Sequence, residues 1–323
     1  MRILITGASG QLGCELKEVL KAEQLTLADL PEFDVAKAGV EERVAAARPD
    51  VIIHAAAYTD VDGAEQEPER ANAVNAEGTE RVAKAAAKTG ARFVYLSTDY
   101  VFDGRKSTPY LETDEPNPLS VYGRSKLEGE RLALACCPRT VILRTAWLYG
   151  THGKNFVKTI MKLALEQQEL RIVADQRGCP TYARDLAVAI AKLIKLDTSN
   201  LEPPSTGLGA VSLPNGRTVH LTGSGDCTWY EFACEIVSLM GSPARVHPIT
   251  TAESKRKARR PPYAVLANTV LAKNGINLPN WKDALARFMS EHKTVRSSMF
   301  EVGWSGNIEP PTSNLQPRTG TKP

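Results

Sequence analysis

The 323 residues lack the signatures of a membrane protein, a metal centre and a disulfide scaffold. No run approaches the roughly 18 to 20 consecutive apolar residues that a membrane-crossing helix needs. The opening MRILITGASG is a short apolar run that breaks into glycines, whereas a secretory leader carries a longer apolar region and a small-residue cleavage site. The six cysteines, Cys14, Cys136, Cys137, Cys179, Cys227 and Cys234, form no C-x-x-C, and with only five scattered histidines they offer no zinc spacing. Reduced structural thiols in a cytoplasmic protein are therefore expected. An excess of one charge sign is also missing: 40 Lys+Arg against 37 Asp+Glu leave a net charge of +3, too small for a nucleic-acid or anionic-membrane footprint. Aromatic residues make up only 6%, but 42% hydrophobic and 24% charged residues describe an ordinary globular chain and exclude disorder and collagen. At about 150 residues per domain, the length suits two domains, or one large α/β domain with a smaller one appended.

What is present alternates. Arg2 to Thr6, Leu25 to Ala28, Val51 to Ala55, Phe93 to Ser97 and Val141 to Thr145 are apolar, β-branched runs that read as strands. Between them, Leu12, Leu16, Val19 and Leu20 share one face of an amphipathic helix, Pro68 to Gly90 has a good start and stop, and Tyr122 to Ala135 gives a third helix. Continuous apolar strands separated by helices predict a parallel sheet covered on both faces, a doubly wound Rossmann-like α/β fold. Residues 1–150 are expected to form the dinucleotide-binding domain, completed by later segments. Residues 151–304 are expected to form mainly a smaller substrate-binding portion, with helices at Arg184 to Leu196, Tyr230 to Met240 and Trp281 to His292. The stretch 201–217, rich in Pro, Gly and Ser, reads as a surface excursion, and 305–323 as a disordered tail that buries too little to offset its ordering entropy.

The strongest local motif is Gly7-Ala8-Ser9-Gly10-Gln11-Leu12-Gly13, which follows the first strand and opens the first helix. The free N–H groups and positive dipole end of that helix suit a pyrophosphate, and the glycines let the backbone come close. Asp29, at the end of the second strand, stands where a carboxylate would bond an adenosine ribose hydroxyl. Downstream, Ser97-Thr98 closes the fourth strand and Tyr122-Gly123-Arg124-Ser125-Lys126 places a phenol and an ammonium at i and i+4, on one helix face. A tyrosine of unperturbed pKa about 10 is a poor proton shuttle at neutral pH, and a nearby cation lowers it by favouring phenolate. Tyr122, Lys126 and Thr98 are thus candidate catalytic residues.

The G-x-x-G-x-x-G spacing followed by Y-x-x-x-K resembles the extended short-chain dehydrogenase/reductase superfamily. Within it, Thr98-Asp99-Tyr100-Val101-Phe102-Asp103-Gly104 resembles the signature of the dTDP-4-dehydrorhamnose reductases. The resemblance runs over about residues 1–300, through Arg48-Pro49-Asp50, Ala55 to Thr59, Val74-Asn75-Ala76, Arg144 to Tyr149, Gly153 to Phe156, Asp175 to Thr181 and Arg260-Pro261. It departs where Ala264 replaces the usual serine and Ala267 the usual acid. The resemblance implies an NAD(P)H-dependent oxidoreductase that reduces the 4-keto group of a nucleotide sugar, with Tyr122 as proton donor. It implies that Gly7, Gly10, Gln11, Leu12, Gly13, Asp29, Asp34, Val35, Ala57, Tyr58, Thr59, Tyr122 and Lys126 contact the cofactor, NADPH with NADH possible. Thr98, Asp99 and Trp147 would face the sugar. A homodimer is possible, since some members hold Mg²⁺ between subunits with acids at places similar to Glu15, Asp185 and Glu291; these read here as solvated helix acids, and no metal is expected. Two alternatives stay open: another nucleotide-sugar reductase or epimerase, and a non-catalytic regulatory subunit resembling the methionine adenosyltransferase β-subunit.

Overall fold

In the computed structural model, residues 1–196 and 216–300 are described, with 293–300 as backbone only. The expected tail and residues 201–215 of the expected excursion lie outside the described residues. Five parallel strands, β1 (Arg2–Thr6), β2 (Gln24–Ala28), β3 (Val51–His54), β4 (Arg92–Thr98) and β5 (Thr140–Thr145), form a six-stranded sheet with strand Gly216–His220. That strand pairs parallel with β5, so a segment from beyond residue 200 sits in the main sheet. The order is β2-β1-β3-β4-β5 and then 216–220, and it reverses between β1 and β3. Ligands of open parallel sheets bind at such a reversal, beyond the carboxyl ends of the strands.

The helices α1 (Gln11–Val19), α2 (Val40–Ala47), α3 (Val61–Ala64), α4 (Pro68–Asn72), α5 (Thr79–Thr89) and α6 (Val121–Cys136) follow in chain order. One core cluster joins Ile3, Ile5, Leu12, Leu16 and Val141 to the helix Ala183–Leu193, while Leu4, Val44, Val82, Phe93 and Ala133 form another with α2, α5 and α6. Strands β1, β3, β4 and β5 are buried because both faces are covered, which is why they read as apolar runs, whereas edge strand β2 is largely exposed. A third core, around Tyr149, Ile160, Phe232, Leu285 and Phe288, belongs to the later portion. There, strands Glu169–Val173 and Arg245–Ile249 pair with each other, apart from the main sheet.

The expected helix from Pro68 to Gly90 contains a π-helical turn, Ala73–Gly78, between α4 and α5. It carries Asn75, fully buried, whose side-chain oxygen accepts from the Tyr58 N–H (2.8 Å) and whose amide donates to the Tyr58 carbonyl (3.0 Å) and Ser125 Oγ (3.0 Å). One side chain thereby fixes the loop after β3 against the helix that carries Tyr122.

Candidate functional site

The loop between β1 and α1 is built for close approach. Gly7 adopts φ +68°, and a Cβ there would lie 2.6 Å from the Ala56 nitrogen; a Cβ on Gly13 would lie 2.2 Å from the Gly7 carbonyl oxygen. Gly10 is the N-cap of α1 and has no side-chain cap, so the first N–H groups of the helix keep no side-chain partner there. The Asp29 carboxylate accepts from the Ser9 N–H (2.6 Å) and the Leu30 N–H (2.8 Å), bracing the loop and the end of β2 together. Beside it lies a cavity of about 510 Å³ lined by Ala8, Ser9, Asp29, Phe33, Lys17 and Arg43. These features fit a dinucleotide: a cradle without side chains, a helix N-terminus and a ribose-sized carboxylate site. Leu12 is 5% exposed and packs in the core, so it could meet a cofactor only through its backbone. Gln11 accepts from Asn155 Nδ2 (3.0 Å), tying the loop to the second portion of the chain. Val35 is core too, and Asp34 accepts from the Ala36 N–H (3.0 Å). Ala57 and Tyr58 are half-buried and Thr59 is exposed, all in the loop after β3 whose Ala55-Ala56 backbone packs on Gly7.

At the carboxyl end of β4 the candidate catalytic side chains meet. Thr98 and Tyr122 are buried close together, and the Thr98 hydroxyl donates to Asp99 Oδ1 (3.0 Å). Ser120 caps α6 by accepting from the Gly123 N–H (3.0 Å), which sets Tyr122 in the first turn. Burial pushes the Tyr122 phenol up, against the pull of Thr98. This phenol stays protonated, the form that a reduction needs, and the expected lowering by a nearby ammonium is not what governs it. The reason is where Lys126 points. Its Nζ, fully buried, donates to the Leu96 carbonyl (2.7 Å) and lies 4.1 Å from the Tyr95 ring centre, and burial lowers it to about 7. The i, i+4 spacing places both groups on α6, but the main chain of β4 takes the ammonium.

Asp99 is buried, and its Oδ2 has no partner. Burial pushes the carboxyl up to about 7, so an incoming hydroxyl would find an unmet partner there. Trp147 is half-buried at φ +47°, a conformation rare for a bulky residue. Its indole stacks on Trp229, with centroids 3.4 Å apart, and a Cβ on Gly178 would run into it at 2.5 Å. Trp229 escaped the sequence reading, because its partner lies some eighty residues earlier and no spacing connects them. The same holds for Arg256, one helix-free segment before the Arg260-Pro261 pair. Arg260 binds Asp62 through two nitrogens (3.2 and 2.7 Å) and bonds Tyr100, whose ring meets Tyr122 edge-on at 5.5 Å. Arg256 is packed beside Arg260, with its Nε unpartnered. Arg260 thus has Asp62 as its counter-ion, and Arg256 adds a second guanidinium near Tyr122.

Two of the three acids flagged for a metal are occupied otherwise. Asp185 binds Arg287 through both oxygens (3.0 and 2.6 Å), and Glu291 accepts from the Tyr182 hydroxyl (2.9 Å). Glu15 is 3% exposed, with its carboxyl pushed up by burial, and so is not the solvated acid expected from the sequence. Among the described residues no group of three or more His, Cys, Asp or Glu could hold a metal ion. These residues do not fit Mg²⁺ as they are arranged. Among the described residues, no helix is long and apolar enough to cross a membrane.

The profile of the RmlD substrate binding domain family matches residues 1–294. A dTDP-4-dehydrorhamnose reductase of Sinorhizobium fredii is 42% identical over 297 residues, covering 90% of this chain and 97% of that protein. The crystal structure of a dTDP-4-dehydrorhamnose reductase from Clostridium acetobutylicum superposes with a TM-score of 0.82 at 40% identity, covering 91% of this chain and all of that one. The enzyme of the same description from Bacillus anthracis, solved in complex with NADP, gives 0.82 at 40% identity over 90% and 99% of the two chains.

Proposed function

We propose that this chain, which belongs to the dTDP-4-dehydrorhamnose reductase family, is an NAD(P)H-dependent oxidoreductase that reduces the 4-keto group of dTDP-4-dehydro-6-deoxy-L-mannose. The observation that carries the reading is the buried Thr98 and Tyr122 pair at the end of β4, on the same edge of the sheet as the glycine loop. The nicotinamide, when bound, supplies the hydride. The chain's own task is to orient the two reactants and to hold a proton at Tyr122 Oη. When substrate binds, Thr98 would turn its hydroxyl from Asp99 to the same keto oxygen, so that charge developing there meets two donors. Asp99 and Trp147 would position the sugar, and the surplus positive charge of Arg256 and Arg260 suits a diphosphate. An intact donor set supports an enzyme over a purely regulatory subunit. A homodimer, measurable by sedimentation, and a cytoplasmic site of action belong to the same proposal. The test is NADPH oxidation on adding the product of a dTDP-glucose dehydratase and its epimerase; absence of turnover would reject the reading.

The adenosine end is lined by Asp29 but also by Lys17 and Arg43, a mixture of signs that supports use of NADPH and NADH. Like charges at about 4 Å cost roughly 1 to 4 kcal/mol, so Asp29→Ala should raise the NADPH:NADH ratio of kcat/KM by about tenfold. A fall in that ratio would place the carboxylate away from the 2′ position.

No 4,6-dehydration is expected. Dehydration needs a base to take the proton from C5, and the residue after Asp99 is Tyr100, whose phenol burial pushes up and which is bonded to Arg260. A protonated phenol does not abstract a carbon-bound proton. Incubation with dTDP-glucose and NAD⁺ should yield no 4-keto-6-deoxy product; its catalytic accumulation would favour the dehydratase.

A further inference from the structure

One turn beyond Lys126 on α6 lies Glu130, 3% exposed and outside the chemistry described so far. Its Oε1 accepts from Ser97 Oγ (2.5 Å) and from Arg144 Nε (2.9 Å), and its Oε2 accepts from Arg144 Nη2 (2.6 Å). The three side chains come from α6, β4 and β5, and all are buried. Ser97 stands between Leu96, whose carbonyl holds the Lys126 ammonium, and Thr98, which lies beside Tyr122. A carboxylate is costly to bury, and a well-packed apolar pair in its place is often neutral or stabilising. Stability alone therefore gives weak grounds for an ion pair at this spot.

We propose that Glu130 is a positioning residue of the reaction: locked by Arg144 and Ser97, it fixes the end of β4 to which Lys126 is tethered and supplies the counter-charge to that buried ammonium. The inference rests on the reductase reading for its consequence in turnover, but not for the contact itself. Groups facing Lys126 come from every element around it. From α6 itself there are Tyr122 and Glu130; from β4, the Tyr95 ring and the Leu96 carbonyl; from β3, His54, which burial lowers to about 3 and which is neutral. Beyond these lie Asp99 at the end of β4 and Arg144 on β5, the latter held on the far side of Glu130. Of the charged groups, Glu130 is the one that pulls the Lys126 proton affinity up against burial. A cation kept at Lys126 is the donor that a ribose hydroxyl would meet.

The sign follows. Removing the negative charge lowers the affinity of Lys126 for its proton, so the protonated form is lost at lower pH. Side chains one helical turn apart, about 6 Å between Cβ atoms, interact enough at protein dielectric to move a pKa by roughly one to two units. The experiment follows the Lys126 signal by NMR of ¹³Cε-lysine protein, assigned with Lys126→Arg, and the alkaline limb of kcat/KM. Glu130→Gln should shift both downward by about one unit or more, and Glu130→Asp, which keeps the charge, should restore most of the shift. If Glu130→Gln does not fold, the double variant Glu130→Met with Arg144→Met replaces the pair by apolar groups and should still lower the Lys126 titration. An unmoved Lys126 titration in the folded variants overturns the inference, leaving Glu130 a structural ion pair. A shifted titration in a protein that never oxidises NADPH would instead sink the reductase reading and keep the contact.

Discussion

Tyr122→Phe is expected to lower kcat by about 10² to 10⁴, the contribution of one well-placed acid–base group, while leaving the fold intact. The reason lies in what is removed. The ring of Tyr122 packs edge-on against Tyr100 at 5.5 Å and beside Ala64 and Ala71, and phenylalanine keeps all of that. Only the hydroxyl beside Thr98 is lost. The cofactor dissociation constant should change by less than about tenfold, the worth of one hydrogen bond. A drop in turnover with near-constant NADPH affinity separates a proton donor from a binding group. Thr98 cannot replace it, because an aliphatic alcohol can hydrogen-bond the keto oxygen but is a far weaker acid than a phenol. An unchanged kcat would remove Tyr122 from the mechanism.

The sequence made the sheet legible and the later portion much less so. Strands β1, β3, β4 and β5 are buried on both faces, so their apolar runs are unbroken and their bounds come within a residue or two. Helix α2 was missed because only Val40 and Val44 of VEERVAAA are buried, too few for a periodic signal. The strands Glu169–Val173 and Arg245–Ile249 find their partners in each other, seventy-odd residues apart; the first mixes exposed with buried residues and the second has none buried. Helix Phe156–Glu166, by contrast, carries its signal locally, in the apolar face of Val157, Ile160 and Ala164 and in the N-cap Asn155. The site divides the same way. The glycine loop and the Y-x-x-x-K pair are local patterns whose chemistry follows from spacing. Asn75, Glu130 and Trp229 act through partners far along the chain, and spacing does not reveal a contact that tertiary packing creates. The direction of Lys126 is the sharpest case. Helix geometry puts it on the face of Tyr122, yet a buried ammonium must find an acceptor, and the Leu96 carbonyl is the one at hand.

Gly13→Ala should damage cofactor binding where Tyr122→Phe damages chemistry. The added methyl would sit 2.2 Å from the Gly7 carbonyl oxygen and 2.6 Å from the Ala8 Cα, distances that force backbone apart. The Gly7 carbonyl also accepts the Gly10 N–H (3.0 Å) at the start of α1, so the displaced atoms are those that close the turn. Overpacking of this kind costs roughly 1 to 3 kcal/mol in stability. The larger effect is on the ligand, since the helix N-terminus binds a pyrophosphate only if its N–H groups converge. The expected result is a rise of at least about tenfold in the NADPH dissociation constant, equal to 1.4 kcal/mol or more. Gly90→Ala serves as the control. Gly90 ends α5 at φ +72°, with nothing within 4 Å of an added Cβ, so the change costs backbone strain of about 1 to 2 kcal/mol and touches no ligand. Both variants should therefore melt earlier, but only Gly13→Ala should lose the cofactor. Wild-type NADPH affinity in folded Gly13→Ala would mean that the pyrophosphate does not rest on this turn.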